Sequence, residues 1–258
     1  MTVIAHLSDL HFGAEIPEVV AALAEDVAAA KPDLVAVSGD LTQRARLREY
    51  QAAIAFLRGL PAPVLAVPGN HDVPFFDPVM RFADPWRRWR RLVAPETEPV
   101  WTDARVAVVG LNTARRGGFD LEWEQGRVGR TRLTRLEAKL AALPKGLFRI
   151  VVAHHPFTAP AASPAASLVG GAVRALQAFV RHDVQMVLSG HLHLPDIAPA
   201  RDLPPGARLL LVQGSSATSH RLRGAPNAWH LIRVEGGVPH VAARIWDGRA
   251  WTDGPPGA

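Results

Sequence analysis

Short apolar runs alternate along this chain with stretches in which apolar side chains return every three or four positions. The runs at residues 3–7, 34–37 and 64–67 read as buried strands, as do 105–110, 150–153 and 184–188. Pro17 opens a predicted helix over residues 17–30, with Val20, Leu23 and Val27 at helical spacing. A second helix over 44–57 sets Tyr50, Ile54 and Leu57 on one face and stops at Gly59. Leu133, Leu136 and Leu140 mark a third helix, and Val173, Leu176 and Val180 a fourth. This alternation predicts an α/β fold. The tail changes character, with residues 209–212, 229–234 and 238–245 predicted as consecutive antiparallel strands.

Two segments break the rhythm. Residues 74–99 carry Phe75, Phe76, Trp86 and Trp89 among five arginines, and residues 156–171 are rich in Pro, Ala and Gly. Both directly follow polar motifs at predicted strand ends. They are expected to be cap segments of a single domain spanning 1–258, because loops held by a scaffold usually carry specificity.

Composition narrows the chemistry. The chain has 258 residues, 48% of them hydrophobic, enough for a sizeable core. It has no cysteine, which excludes disulfides, thiolate metal sites and a Cys nucleophile. The formal charge is +5, carried almost wholly by arginine, since lysine occurs only at Lys31, Lys139 and Lys145. Base-composition bias accounts for that balance, and an anionic substrate or membrane surface also fits it. A motif at Asp9 leaves no room for a signal peptide, and no apolar run reaches the length of a membrane span. A cytoplasmic location is therefore expected.

The polar motifs at the strand ends are Asp9-Leu10-His11, Gly39-Asp40, Gly69-Asn70-His71-Asp72, His154-His155-Pro156 and Gly190-His191-Leu192-His193. Ligand sites gather at the C-terminal ends of strands in open α/β sheets. Any one of these motifs is common by chance; all five in this order, each after a strand signal, point to one site. Asp9, His11, Asp40, Asn70, His154, His191 and His193 supply carboxylate, imidazole and amide donors for two divalent cations, and such donors accept Mn, Fe, Zn or Co. Asp9 and His11 are so close in sequence that the backbone must turn between them. Asp40 is the natural bridge, because a carboxylate can share its two oxygens. Against four positive charges, Asp9, Asp40 and a bridging hydroxide leave roughly one net positive charge for a phosphate ester. Paired metals acidify a shared water, so no side-chain nucleophile is needed. His71 is then the candidate for stabilising a phosphate oxygen or protonating the leaving group, with Asp72 orienting it.

This set of motifs resembles the calcineurin-like metallophosphoesterase superfamily over essentially the whole chain. The resemblance implies a four-layer α/β/β/α sandwich of two mixed sheets with a dinuclear centre between them. It implies that Asp9, His11, Asp40 and His193 hold one metal, and that Asp40, Asn70, His154 and His191 hold the other. Ser8-Asp9-Leu10-His11, Gly39-Asp40-Leu41-Thr42 and the late Arg221-Leu222-Arg223-Gly224-Ala225-Pro226-Asn227 segment further resemble bacterial class III cyclic-nucleotide phosphodiesterases. That likeness implies small phosphodiester substrates of the 3',5'-cyclic AMP type, attack by a metal-bound hydroxide, and a homodimer.

Other residues carry two readings each. Thr113, Arg115 and Arg116 are either substrate contacts from the rim or part of a solvated loop, and His155 and His220 are either near the substrate or structural. His6 alternates with apolar neighbours and is expected to be a core histidine; His182, His230 and His240 have no motif context. Trp86, Trp89 and Val93 share one helical face among arginines. That face either packs on the body or a second subunit, or meets an anionic lipid surface. The lipid reading makes a phospholipid or glycolipid-precursor phosphoesterase the alternative enzyme. No specific nucleic-acid partner is expected, because no nucleic-acid-binding signature accompanies the run. A non-catalytic scaffold of the same fold is expected to lose donors, and here every donor type is present.

Overall fold

The computed structural model describes residues 1–117, 123–200, 203 and 207–254. Strands β1 (Thr2–Leu7), β2 (Leu34–Ser38) and β3 (Val64–Val67) run parallel, joined by α1 (Pro17–Ala30) and α2 (Leu47–Gly59). Strands β10 (Ala228–Glu235), β11 (Val238–Trp246) and β12 (Trp251–Asp253) add antiparallel beside β1, giving a six-stranded sheet in the order β12-β11-β10-β1-β2-β3. A second six-stranded sheet has the order β4-β5-β6-β7-β9-β8. It contains β4 (Val100–Thr102), β5 (Val106–Gly110), β6 (Phe148–Val152), β7 (Val184–Ser189), β8 (Asp196–Pro199) and β9 (Leu210–Gln213). Helices α5 (Arg130–Ala142) and α6 (Ala172–Arg181) belong to this half. Two short helices, α3 (Pro78–Ala83) and α4 (Arg87–Leu92), lie between β3 and β4.

The period-two alternation of each strand sorts its side chains between two cores. In β1, Ile4 points between the sheets, where it meets Leu34, Ala36 and Val67 from its own sheet and Val108, Ile150, Val152 and Leu188 from the other. Its neighbours Val3, Ala5 and Leu7 point outward and are covered by Val19, Leu23 and Val27 of α1 and by Tyr50, Ala53 and Leu57 of α2. The second sheet repeats the scheme: Val109, Val151 and Val187 face outward onto Leu133, Leu136 and Leu140 of α5 and Ala175, Ala178 and Phe179 of α6. The result is the expected four-layer α/β/β/α sandwich of two mixed sheets. Among the described residues, no helix is long and apolar enough to cross a membrane.

Several local expectations are corrected. The second helix starts at Leu47 and not at residue 44, because the buried Glu49 carboxylate accepts hydrogen bonds from the backbone N–H groups of Arg44 and Arg46 and holds them in a turn. The face of α6 is set by small residues: Ala172, Ala175 and Ala178 let it lie close to its neighbours, and Val173 is 69% exposed. Strand β9 does not pair with β10. It lies parallel to β7 in the other sheet, so only β10 to β12 form the antiparallel tail.

The structure decides between the two readings of the Trp/Arg run in favour of packing on the body. Trp89 is fully buried (0% exposed), its indole N–H donates to the Glu96 carbonyl, and Trp86 packs half-buried against the same core. The Arg88 guanidinium donates to the Ala45 carbonyl and ties α4 to the body. The aromatic face therefore points inward and is not available to a lipid surface. Trp89→Ala should cost about 3–5 kcal/mol of stability, the usual range for emptying a buried tryptophan site. Denaturant unfolding checks this, since a surface tryptophan would change stability by no more than about 0.5 kcal/mol.

Candidate metal centre

Parallel strands put the donors at one edge of the sandwich. Asp9, Asp40 and Asn70 follow β1, β2 and β3, and His154 and His191 follow β6 and β7 of the facing sheet. The chain must reverse sharply to aim side chains from both sheets at one point. It does so by taking left-handed backbone at Asp9 (φ 52°), His11 (47°), Asp40 (52°), His191 (76°) and His193 (56°). Such conformations are disfavoured for non-glycine residues and gather at functional sites. The turn expected between Asp9 and His11 is thus present, and it recurs at the other donors.

Ligand atoms of Asp9, His11 and His193 lie within 4.8 Å of one another, as do those of Asp9, Asp40 and His154. One Asp40 oxygen, Oδ2, is 3.6 Å from His11 Nε2 and 3.3 Å from His154 Nε2, so this carboxylate stands between the two halves. Asn70 Oδ1 joins the second half, 3.0 Å from His154 Nε2 and 3.1 Å from His191 Nδ1. All seven expected donors therefore meet in one buried pocket.

The donors fit a pair of cations on chemical grounds. Asp9 Oδ1 is buried without a hydrogen-bond partner, 3.2 Å from His193 Nε2 and 3.7 Å from His11 Nε2. His11 and His193 face each other Nε2 to Nε2 at 3.1 Å. An orphaned carboxylate oxygen beside converging imidazole nitrogens is costly unless a cation takes the lone pairs. Backbone carbonyls set the tautomers. His154 Nδ1 donates to the Ser38 carbonyl at 2.8 Å and His193 Nδ1 to the Arg221 carbonyl, which leaves both Nε2 lone pairs for a metal.

The electrostatics agree. Burial pushes the Asp9 carboxyl up, but His193 outweighs it and holds the group below its ordinary range. Burial likewise opposes ionisation of Asp40, which His154 and His71 reverse. Burial, reinforced by neighbouring histidines, drives His11 down to about 3 and His191 down to about 3, keeping both neutral and ready to ligate. His154 and His193 are the exceptions: burial lowers both, but Asp9 raises His193, and the Asp40 charge and hydrogen bond raise His154 to about 9. A proton there is the natural competitor of a metal.

Three expectations about the surroundings change. Asp72 does not orient His71. Its carboxylate accepts hydrogen bonds from the backbone N–H groups of Leu41, Thr42 and Gly69 and from the Thr42 hydroxyl, clamping the Asp40 loop to the Asn70 loop. Burial and the Asp40 charge raise Asp72 to about 7. His155 is locked, with Nε2 donating to the Glu124 carbonyl at 2.8 Å and Nδ1 accepting from the Thr113 hydroxyl at 2.7 Å, so neither it nor the buried Thr113 is available to a substrate. Arg115 lies half-buried on the same loop. His220 is exposed, with its backbone N–H on the Ala14 carbonyl. His6 is the expected core histidine: Nε2 bonds Ser38 Oγ at 2.9 Å, and Nδ1 lies 3.3 Å from His230 Nδ1.

His71 is held by residues the motif reading did not single out for the site. Its Nδ1 is 2.7 Å from the Gln43 carbonyl, and its Nε2 is 2.9 Å from a guanidinium nitrogen of Arg221. Arginine has no acceptor, so Nε2 accepts and Nδ1–H donates. Arg221 thus presents a cation beside His71 while its carbonyl orients His193. Its sequence signal is its place at the head of the 221–227 segment, which does not show that it reaches His71.

Residues 2–195 match the sequence profile of the calcineurin-like phosphoesterases. The glycerophosphodiester phosphodiesterase GpdQ of Enterobacter lignolyticus is 39% identical over 80 residues, covering 27% of this chain and 29% of that protein. The matched stretch is thus under a third of the curated relative's length. In fold, the chain is similar to a dimetal phosphatase from Danio rerio, with TM-score 0.67, 13% identity, and coverage of 94% of this chain and 95% of that one. It is also similar to the purple acid phosphatase PPD1 of yellow lupin, with TM-score 0.70, 11% identity, and coverage of 98% and 52%.

Two measurements test the centre. A cation entering beside Asp40 must displace the His154 proton, so chelator-stripped protein should release protons on binding Zn below pH 9. Its apparent affinity should climb about tenfold per pH unit and level off above about 9. Calorimetry in buffers of different ionisation enthalpy reads this directly. A Cβ on Gly190 would overlap Ser8 Oγ and the Asp9 carboxylate. Gly190→Ala should therefore lower metal affinity by about 10–100-fold, as for loss of other supporting contacts at metal sites.

Proposed function

Because this chain belongs to the calcineurin-like phosphoesterase family, we propose that it is a dinuclear metal-dependent phosphodiesterase acting on small phosphodiesters, with 3',5'-cyclic nucleotides first among them. The observation that carries this reading is the convergence of seven donors around the orphaned Asp9 oxygen, with Asp40 between the two halves. Asp9, His11, Asp40 and His193 would hold one cation, and Asp40, Asn70, His154 and His191 the other. When bound, the cations supply charge for the phosphate and an acidified water.

The protein's own part is positional. The carbonyls of Ser38 and Arg221 fix the imidazole ligands, and Asp72 holds the two loops that carry Asp40 and Asn70. The His71–Arg221 pair is the cationic rim. A phosphate oxygen arriving there can take over the guanidinium N–H that now meets His71, a charge-assisted hydrogen bond that frees His71 Nε2. Once Nε2 has taken a proton from solvent, His71 can donate it to the same oxygen or to the leaving alkoxide. The preference for cyclic nucleotides is supported by the 221–227 segment, from which Arg221 reaches the site. The relationship to a glycerophosphodiester phosphodiesterase makes glycerophosphodiesters the alternative substrate class.

A substrate panel with Mn tests this reading: cyclic AMP, glycerophosphodiesters, a chromogenic diester and phosphate monoesters, side by side. Diester turnover is expected, with His71→Ala lowering kcat by about 10²–10⁴-fold and Asp40→Ala removing activity together with metal. Turnover that survives both substitutions, or none in the metal-loaded protein, would sink the enzyme reading. Glycerophosphodiesters cleaved with higher kcat/KM than cyclic AMP would overturn the substrate choice alone.

A further inference from the structure

Among the described residues, the aromatic side chains most exposed to solvent are Phe75, Phe76 and Phe82 and not the tryptophans. Leu47 (52% exposed), Phe75 (50%), Phe76 (59%), Val79 (77%) and Phe82 (58%) are five of the eleven exposed large hydrophobic residues among those described. They lie on two adjoining segments, the start of α2 and the stretch from Pro74 through α3. Between them is an open cleft of about 440 Å³ lined by Arg44, Arg46, Leu47, Phe75 and Phe76, and by Arg88 paired with the Asp77 carboxylate at 3.8 Å. The guanidinium carbons of Arg44 and Arg46 sit 5.4 and 5.3 Å from the centre of the Phe76 ring. The same two segments begin at the metal centre: Gln43, whose carbonyl holds His71, precedes Arg44, and Asp72 is two residues before Pro74.

We propose that this rim is a docking surface for an anionic phospholipid membrane. Exposed apolar side chains of this kind mark interaction sites, and guanidiniums stacked on one of them select the sign of the partner's charge. A second copy of the chain would bring Arg44 and Arg46 against their own images, which is unfavourable in an interface closed by two-fold symmetry. A single-stranded nucleic acid offers bases for stacking, but Leu47 and Val79 have no ring to receive them. An acyl-chain boundary accepts any apolar atom, and anionic headgroups accept the arginines. The exposed Arg87 and Arg91 of α4 add to the positive field, while Arg90 is paired with Asp84. The membrane would then lie beside the opening that His71 and Arg221 flank.

Co-sedimentation of the full chain with phosphatidylglycerol-containing vesicles, against phosphatidylcholine vesicles, tests the proposal. Binding to the anionic vesicles should be at least about tenfold stronger, and Arg44→Gln with Arg46→Gln should remove about that factor. Phe76→Ser with Phe82→Ser should weaken binding about tenfold and leave turnover of a soluble diester unchanged, so a failed enzyme assay and a failed membrane assay remain separate results. The chain has no native cysteine. A single Phe76→Cys carrying an environment-sensitive dye should therefore shift to the blue on anionic vesicles, whatever the other variants do. Equal binding to both vesicle types would overturn the proposal, as would a Phe variant that binds like the unaltered protein. So would a dimer, seen by light scattering, that the Phe substitutions dissociate without touching vesicle binding. Tighter binding of a single-stranded oligonucleotide, lost with the same substitutions, would transfer the surface to nucleic acid.

Discussion

Asp9 and Asp40 are buried within the same cluster of histidines, and the cost of keeping both ionised there shapes the rest of the site. Two carboxylates out of water repel each other and lose their hydration, a penalty of several kcal/mol per ion that only opposite charge and good geometry offset. Imidazoles supply part of the compensation, as the lowered Asp9 and Asp40 pKa values show. The orphaned Asp9 oxygen shows that the protein alone does not supply all of it. Everything that brings charge to this point costs the backbone something. The left-handed residues carry torsional strain, and Gly39 and Gly69 are bare because a Cβ would overlap His154 or Asp40. The two hydrophobic sheets, the covering helices and the Asp72 clamp stabilise the fold against that strain.

The layers and the donor set were legible in the sequence for a shared reason. A strand buried on both faces must be apolar throughout, so β1, β2, β3, β6 and β7 stand out as runs. A metal centre of this type needs particular side-chain chemistry where such runs end. Asp9, Asp40, Asn70, His154 and His191 satisfy both conditions at once.

What the sequence concealed depends on approach in space. Trp86 and Trp89 do share a helical face, but spacing alone does not tell whether a face turns to the core or to water. The same ambiguity assigned Val173 to the buried side of α6, where alanines actually sit. Asp72 is adjacent to His71 in sequence, yet its carboxylate serves amides on another loop. Arg221 reaches His71 from 150 residues away, and no local pattern around either residue signals that meeting.

The strand order carries a consequence for how the molecule is made. β1 leaves the ribosome before β10, yet one of its two edges is closed only by β10, with His6 meeting His230 across 224 residues. At about 5–20 residues per second of synthesis, that edge waits on the order of tens of seconds for its neighbour. Pairings of such long range also close slowly once the chain is free, because loop entropy must be spent before they form. Nascent chains of this protein therefore expose an apolar strand edge until β10 has been made. Chaperone engagement would be concentrated on the β1–β3 half, while the β4–β9 sheet, whose strands lie nearer one another along the chain, can form beforehand.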